Sequence, residues 1–140
     1  MRTSFWRRLR TAVIAFVVVC LVSACDEDAS PLDPSSGPQL RIVNAGPVSL
    51  HQLSALFPSD QIAFGDVHPG STSAYRTVPS GVYRYAAWRF ERDGAPVVQP
   101  VIDWVGESPM EGEAFTYTLS VRTFDDGVAR IVLTNVTRDR

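Results

Sequence analysis

Lysine is absent from this chain. All thirteen basic residues are arginine, and four of them stand within the first ten positions. From residue 25 onward the nine remaining arginines face fifteen Asp and Glu, a formal charge of −6. That balance argues against a basic face for nucleic acid. Lysine avoidance itself points to a GC-rich genome or to salt adaptation, not to a function. Cysteine is almost as scarce. Cys20 and Cys25 are the only two, so everything after residue 25 lacks a disulfide, a thiolate metal site and a cysteine nucleophile. Histidine occurs twice, at His51 and His68. A zinc site needs more donors and a supporting second layer, and the pair is read as two unrelated loop residues. Also missing are a phosphate-cradling glycine loop, a His-Glu-x-x-His pair, a Gly-x-Ser-x-Gly turn and an EF-hand pattern. No long apolar run exists. Residues 12–22 give about eleven apolar positions, against roughly 17 to 25 for a membrane-spanning helix.

What is present begins at the N-terminus. Arg2, Arg7, Arg8 and Arg10 precede that short apolar run, as in an exported signal peptide. Val22-Ser23-Ala24-Cys25 closes it and resembles the lipobox of bacterial lipoproteins. The resemblance implies cleavage between Ala24 and Cys25, acylation of Cys25, and a partner in the membrane through that lipid. Two or more acyl chains hold a protein on its membrane, whereas one is marginal. An ordinary cleaved signal and a short uncleaved anchor are the competing readings. The charge at Arg10 disfavours twin-arginine export.

The expected organisation is a signal peptide over residues 1–24, a lipidated cysteine with a disordered tether over 25–39, and one domain over 40–140. The tether follows from Pro31, Pro34, Ser35, Ser36, Gly37 and Pro38, a composition that buries too little apolar surface to order itself. Asp26-Glu27-Asp28 resembles a surface-export signal of one bacterial phylum. An aspartate there also resembles an inner-membrane retention signal of another group. An outer-membrane location in the cell envelope, on either face, is favoured over the inner membrane.

From Leu40 the hydrophobic period is mostly two. Strands are expected over residues 40–45, 61–67, 73–78, 82–92, 97–105, 115–122 and 128–137. Residues 49–57 suit either a strand or one to two helical turns. A bulge is expected near Ala86-Ala87, where the apolar phase slips, and Asp93-Gly94 spells a hairpin turn. Pro100 places its segment at an edge or breaks it. Ile131-Val132-Leu133, apolar on both faces, reads as a central strand. The fold class is all-β: a single antiparallel β-sandwich of about seven or eight strands.

Three pieces carry a further resemblance: Arg41-Ile42-Val43-Asn44-Ala45, Ile62-Ala63-Phe64-Gly65-Asp66-Val67, and residues 72–83. In order and spacing they are similar to a family of unknown function in secreted and lipid-anchored bacterial proteins. It implies an immunoglobulin-like or transthyretin-like sandwich and assigns no catalytic residue. Residues 48–57 depart from that family's second strand.

Candidate chemistry is thin. Glu107, Glu111 and Glu113 crowd one segment, and Asp103, Asp125 and Asp126 would join them for calcium only if the loops share one end of the sandwich. Aromatics are dense, and core packing accounts for most of them. Tyr83, Tyr85, Trp88 and Trp104, with Arg84 and Arg89 between, form the candidate binding platform if they share an outer face. The expected function is a non-enzymatic, membrane-anchored envelope module for structure or interaction, with no cofactor and no catalytic or metal residue. The alternatives are a module binding carbohydrate or peptide on that aromatic face, with an envelope protein or glycan as partner, and a small envelope hydrolase. The hydrolase would need a cleft joining His51 or His68 to a carboxylate and a hydroxyl.

Overall fold

The computed structural model describes residues 37–101 and 104–139. The expected signal segment, Cys25, residues up to 36 and Asp103 lie outside the described residues. The described chain forms eight strands: β1 Gln39–Asn44, β2 Leu50–Leu56, β3 Gln61–Val67, β4 Arg76–Thr77, β5 Ala87–Arg92, β6 Ala95–Gln99, β7 Ala114–Thr123 and β8 Ala129–Asp139. They make two four-stranded sheets, ordered β4-β1-β7-β8 and β3-β2-β5-β6. The all-β sandwich expected from the alternating pattern is present, with one departure: β1 pairs with β7 in parallel, Leu40 opposite Phe115 and Ile42 opposite Tyr117. Their chain separation permits this, because both intervening hairpins belong to the other sheet.

Side chains alternating inward from both sheets build the core. Leu40 and Ile42 of β1 and Phe115, Tyr117 and Leu119 of β7 meet Leu50, Leu53, Ala55, Phe64, Trp88 and Phe90 from the opposite sheet. Tyr117 is fully buried. Its ring stands edge-on to Trp88, centroids 6.2 Å apart, and its hydroxyl donates to the Tyr83 carbonyl. Burial pushes that phenol well above its ordinary pKa.

Several elements differ from the sequence expectation, each for a physical reason. The ambiguous residues 49–57 hold a strand, not a helical turn. Its apolar spacing looks helical because β2 carries a bulge between Leu50 and Leu53, with Gln52 at φ 47°. The bulge expected at Ala86-Ala87 is not there; β5 starts at Ala87. Ahead of it, the carbonyls of Val82 and Tyr83 take a loop amide, Met110 N–H at 2.7 Å, and the Tyr117 hydroxyl in place of a strand partner. Residues 73–78 contribute only the two-residue β4. Beyond it the pairing with β1 continues only as a single bridge, Val43 with Thr72, and at Ser73 the hydroxyl, not a backbone carbonyl, accepts from the Ile42 N–H at 2.9 Å. Pro100 ends β6 after Gln99. Residues 128–137 form the edge strand β8, not a central one. Ile131 is buried there while Val132 and Leu133 are half-buried, and the backbone edge is closed by Gln99, whose amide donates to the Ile131 carbonyl at 2.9 Å and accepts from the Ile131 N–H at 2.8 Å.

Candidate functional site

Two ends of the sandwich are distinguished by the chain path. Pro38 and Gln39 are pinned at the first end, by Val78 N–H on the Pro38 carbonyl at 2.9 Å and by Gln39 N–H on the Glu113 carbonyl at 2.8 Å. Pro38 and Gln39 are thereby tied into the sandwich ahead of Leu40. The far end collects the finish of β1, the start of β2, the β5–β6 turn and the β7–β8 turn. Asn44 bolts it together. It is fully buried, and its amide donates to the carbonyls of Val48 at 2.8 Å and Val67 at 2.9 Å while its oxygen accepts from Gly46 N–H at 3.0 Å. Gly46 passes so close to β7 that an added Cβ would stand 3.2 Å from the Ser120 Cα.

Between the sheets at this far end lies a cleft of about 880 Å³. Val48, Phe90, Val121 and Ala129 supply apolar lining, and His51, Glu91, Arg92 and Asp93 supply polar groups. Val48 is 51% exposed. The cleft stays open because β2 is entered by the short Pro47–Ser49 linker and β5 leaves by the tight Asp93–Gly94 turn, at φ 52° and 77°. That turn is the hairpin the sequence spelled. Arg92 pairs with Asp93 at 3.5 Å, and Glu91 accepts from the Gln52 amide at 2.5 Å.

Beside the cleft, the two histidines come together. In the β2–β3 ladder Leu50 faces Val67, so Ser49 and His51 stand across from His68 and Asp66. His51 Nδ1 is 3.2 Å from Asp66 Oδ2, Ser49 Oγ is 3.2 Å from His68 Nδ1, and the ring centroids are 6.5 Å apart at 78°. This corrects the reading of unrelated loop histidines. The Gln52 N–H on Asp66 Oδ1, at 2.9 Å, and then His51 hold the Asp66 carboxyl below its ordinary range. Sequence reasoning missed the patch although a signal was there: residues 49 and 51, and 66 and 68, each alternate onto one face of a strand. For hydrolysis the arrangement is split. The hydroxyl meets His68 and the carboxylate meets His51, so no single imidazole joins both, as a relay requires.

The four platform aromatics do not share a face. Trp88 is 3% exposed and belongs to the core. Tyr83 is half-buried and stacks on Phe57, centroids 6.2 Å apart. Tyr85 is 48% exposed, and half-buried Trp104 donates its indole N–H to the Tyr85 carbonyl at 3.4 Å. Tyr85 and Arg84 line a second groove of about 450 Å³ along β8, with Met110 and Leu133. The acidic clusters are also separated. Glu113 precedes β7, and Asp125 and Asp126 follow it; its ten residues span ~30 Å at ~3.3 Å each. Among the described residues no group of three or more His, Cys, Asp or Glu is placed to hold a metal ion.

Fold and cleft define a class: an eight-stranded β-sandwich open between its sheets at one end. Compared with protein-family models, curated proteins and solved structures, the chain has no match. Among the described residues no helix is long and apolar enough to cross a membrane.

Proposed function

We propose that this chain is a lipid-anchored module of the bacterial cell envelope that works by binding a partner rather than by catalysis. The carrying observation is the far-end cleft. Its size falls in the roughly 300–1,000 Å³ range of small-molecule and side-chain sites, and an apolar lining with a few polar groups suits such a role. Its position favours the same reading. The chain enters the domain at Gly37–Gln39, so a lipid on Cys25 would tether the opposite end and leave the cleft directed away from the membrane. The polar groups at the mouth, His51, Glu91, Arg92 and Asp93, suit an amphipathic occupant: an apolar side chain of an envelope protein inserted between the sheets with its polar flank at the rim.

A photo-crosslinking residue at Thr123, on the cleft, should give a discrete adduct in the native envelope. The same probe at Gln61, at the other end, should give none. Val48→Asp, which puts a carboxylate on the apolar lining, should weaken the Thr123 adduct at least several-fold. Absence of an adduct, or equal labelling from Gln61, would refute the binding role of the cleft.

A further inference from the structure

We infer that the far-end cleft takes a carboxylate. Its occupant is a short protein segment that inserts an apolar side chain between the sheets and sets an acidic group, from a side chain or a chain terminus, against the guanidinium of Arg92. The inference rests on the reading of the cleft as a binding site and adds the chemistry of what binds there.

Strand parity carries it. β5 and β6 pair in unbroken register from Trp88 opposite Gln99 to Arg92 opposite Ala95. Side chains therefore alternate strictly along this part of β5. Trp88 and Phe90 are buried between the sheets, so Arg92 leaves the strand on that same inner face, one pleat nearer the mouth. Arg89 and Glu91 leave on the outer face. The surroundings agree. A small outer groove of about 250 Å³ is lined by Gln52, Arg89 and Glu91 and not by Arg92, whereas Arg92 lines the cleft.

The acids around the cleft are engaged elsewhere. Glu91 accepts from the Gln52 amide. Asp66 accepts from the Gln52 N–H at 2.9 Å and stands 3.2 Å from His51 Nδ1. Asp93 meets Arg92 at Nε, 3.5 Å away, with a side chain 91% exposed. An ion pair so open to water is worth little, and a carboxylate arriving between the sheets can displace it. Arginine suits that exchange, since its planar fork of donors takes a carboxylate through two parallel hydrogen bonds.

Depth sets the apolar part of the occupant. Val48, Phe90 and Val121 line the cleft. Two residues further in along the same strands, Leu50, Trp88 and Leu119 are buried in the core. The cleft ends there, with depth for a side chain and not for a long acyl chain.

The test uses the full untagged chain and probes that differ in one group. N-acetylphenylalanine, as its carboxylate, should shift the methyl resonances of Val48, Val121 and Ala129 and the Nε–H of Arg92 saturably. N-acetylphenylalanine amide, the same body without the charge, should bind about tenfold more weakly. Arg92→Gln should bring the acid down to the level of the amide and leave the amide unchanged, with thermal melts confirming that the fold persists. Equal binding of acid and amide, or an undiminished preference in Arg92→Gln, would overturn the carboxylate while leaving the cleft an apolar binding site. Octanoate binding more tightly than the acid would overturn the protein segment in favour of an acyl chain. No saturable shift from the acid would overturn the inference, and the Thr123 crosslink would decide separately whether the cleft binds a partner.

Discussion

At the scale of single residues, β7 shows how alternation becomes energy. Phe115, Tyr117 and Leu119 are buried as their spacing requires, while Val121 is half-buried where β7 approaches the cleft. Thr116, on the other face, is nevertheless buried. It lies beneath a polar cluster in which Arg41 Nε donates to Thr116 Oγ1 at 2.8 Å and the Tyr75 hydroxyl donates to Asp139 at 2.8 Å. Two neighbours test the register. Leu119→Ala removes a fully buried side chain and should cost ~2–5 kcal/mol, from lost transfer energy and the cavity left behind. Thr118 is half-buried on the outer face, and Thr118→Ala should change stability by less than ~1 kcal/mol. Chemical denaturation of the two variants checks this; equal losses would mean that β7 is packed tightly on both faces at this point.

At the scale of elements, each sheet must manage its edges, because an exposed row of backbone N–H and C=O groups invites pairing with another chain. The β8 edge is managed from the opposite sheet. Gln99 ends β6 and extends its amide to Ile131, giving one hydrogen bond in each direction. A side chain thus imitates a neighbouring strand for one residue and ties the sheets together along their flank. Gln99→Ala should cost ~1–3 kcal/mol through two lost hydrogen bonds. It should also raise concentration-dependent association, since the Ile131 groups become free to pair. Light scattering together with thermal melts would show both effects; a variant that melts like the wild type and stays monomeric would show that Gln99 carries no such load. The bulge in β2 is the other element-scale device. It turns His51 and Gln52 outward while returning Leu53 to the core, so one strand serves both the packing and the histidine patch.

For the whole molecule, the proposed binding role depends on how the domain is held. The N-terminal arginines, the short apolar run and Val22-Ser23-Ala24-Cys25 make a cleaved, acylated precursor the expected state, which would leave the cleft at the end remote from the membrane. Wild-type protein in a native-like host should incorporate an alkyne fatty acid and partition with membranes. Cys25→Ser should do neither and should accumulate uncleaved, because the thiol that receives the lipid is gone. Unlabelled wild-type protein would reverse this expectation and, with it, the argument that the cleft faces away from a membrane. The packing of the sandwich would be unaffected, since among the described residues the hydrophobic core begins at Leu40.

The sequence by itself determined the class of fold. Period-two alternation at Phe115, Tyr117 and Leu119 and at Leu40 and Ile42 is a local property of strands, and Asp93-Gly94 spells its turn through backbone preference alone; both are legible without knowing any neighbour. It also determined what could not be built, with only Cys20 and Cys25 to offer as thiols. Tertiary structure decided the rest, because those outcomes depend on distant partners. Ile131-Val132-Leu133 looked central, but apolar content does not distinguish a strand flanked by strands from an edge covered by Gln99. Trp88 looked available for a platform, but an aromatic ring has no address until Tyr117 packs against it. The candidate site was the least legible part. His51 and His68 are seventeen positions apart, and they meet only because β2 and β3 pair in a register that sets Leu50 against Val67. The bulge at Gln52 breaks the apolar alternation just past His51, so the segment did not declare itself a strand and the alternation of Ser49 and His51 passed unused.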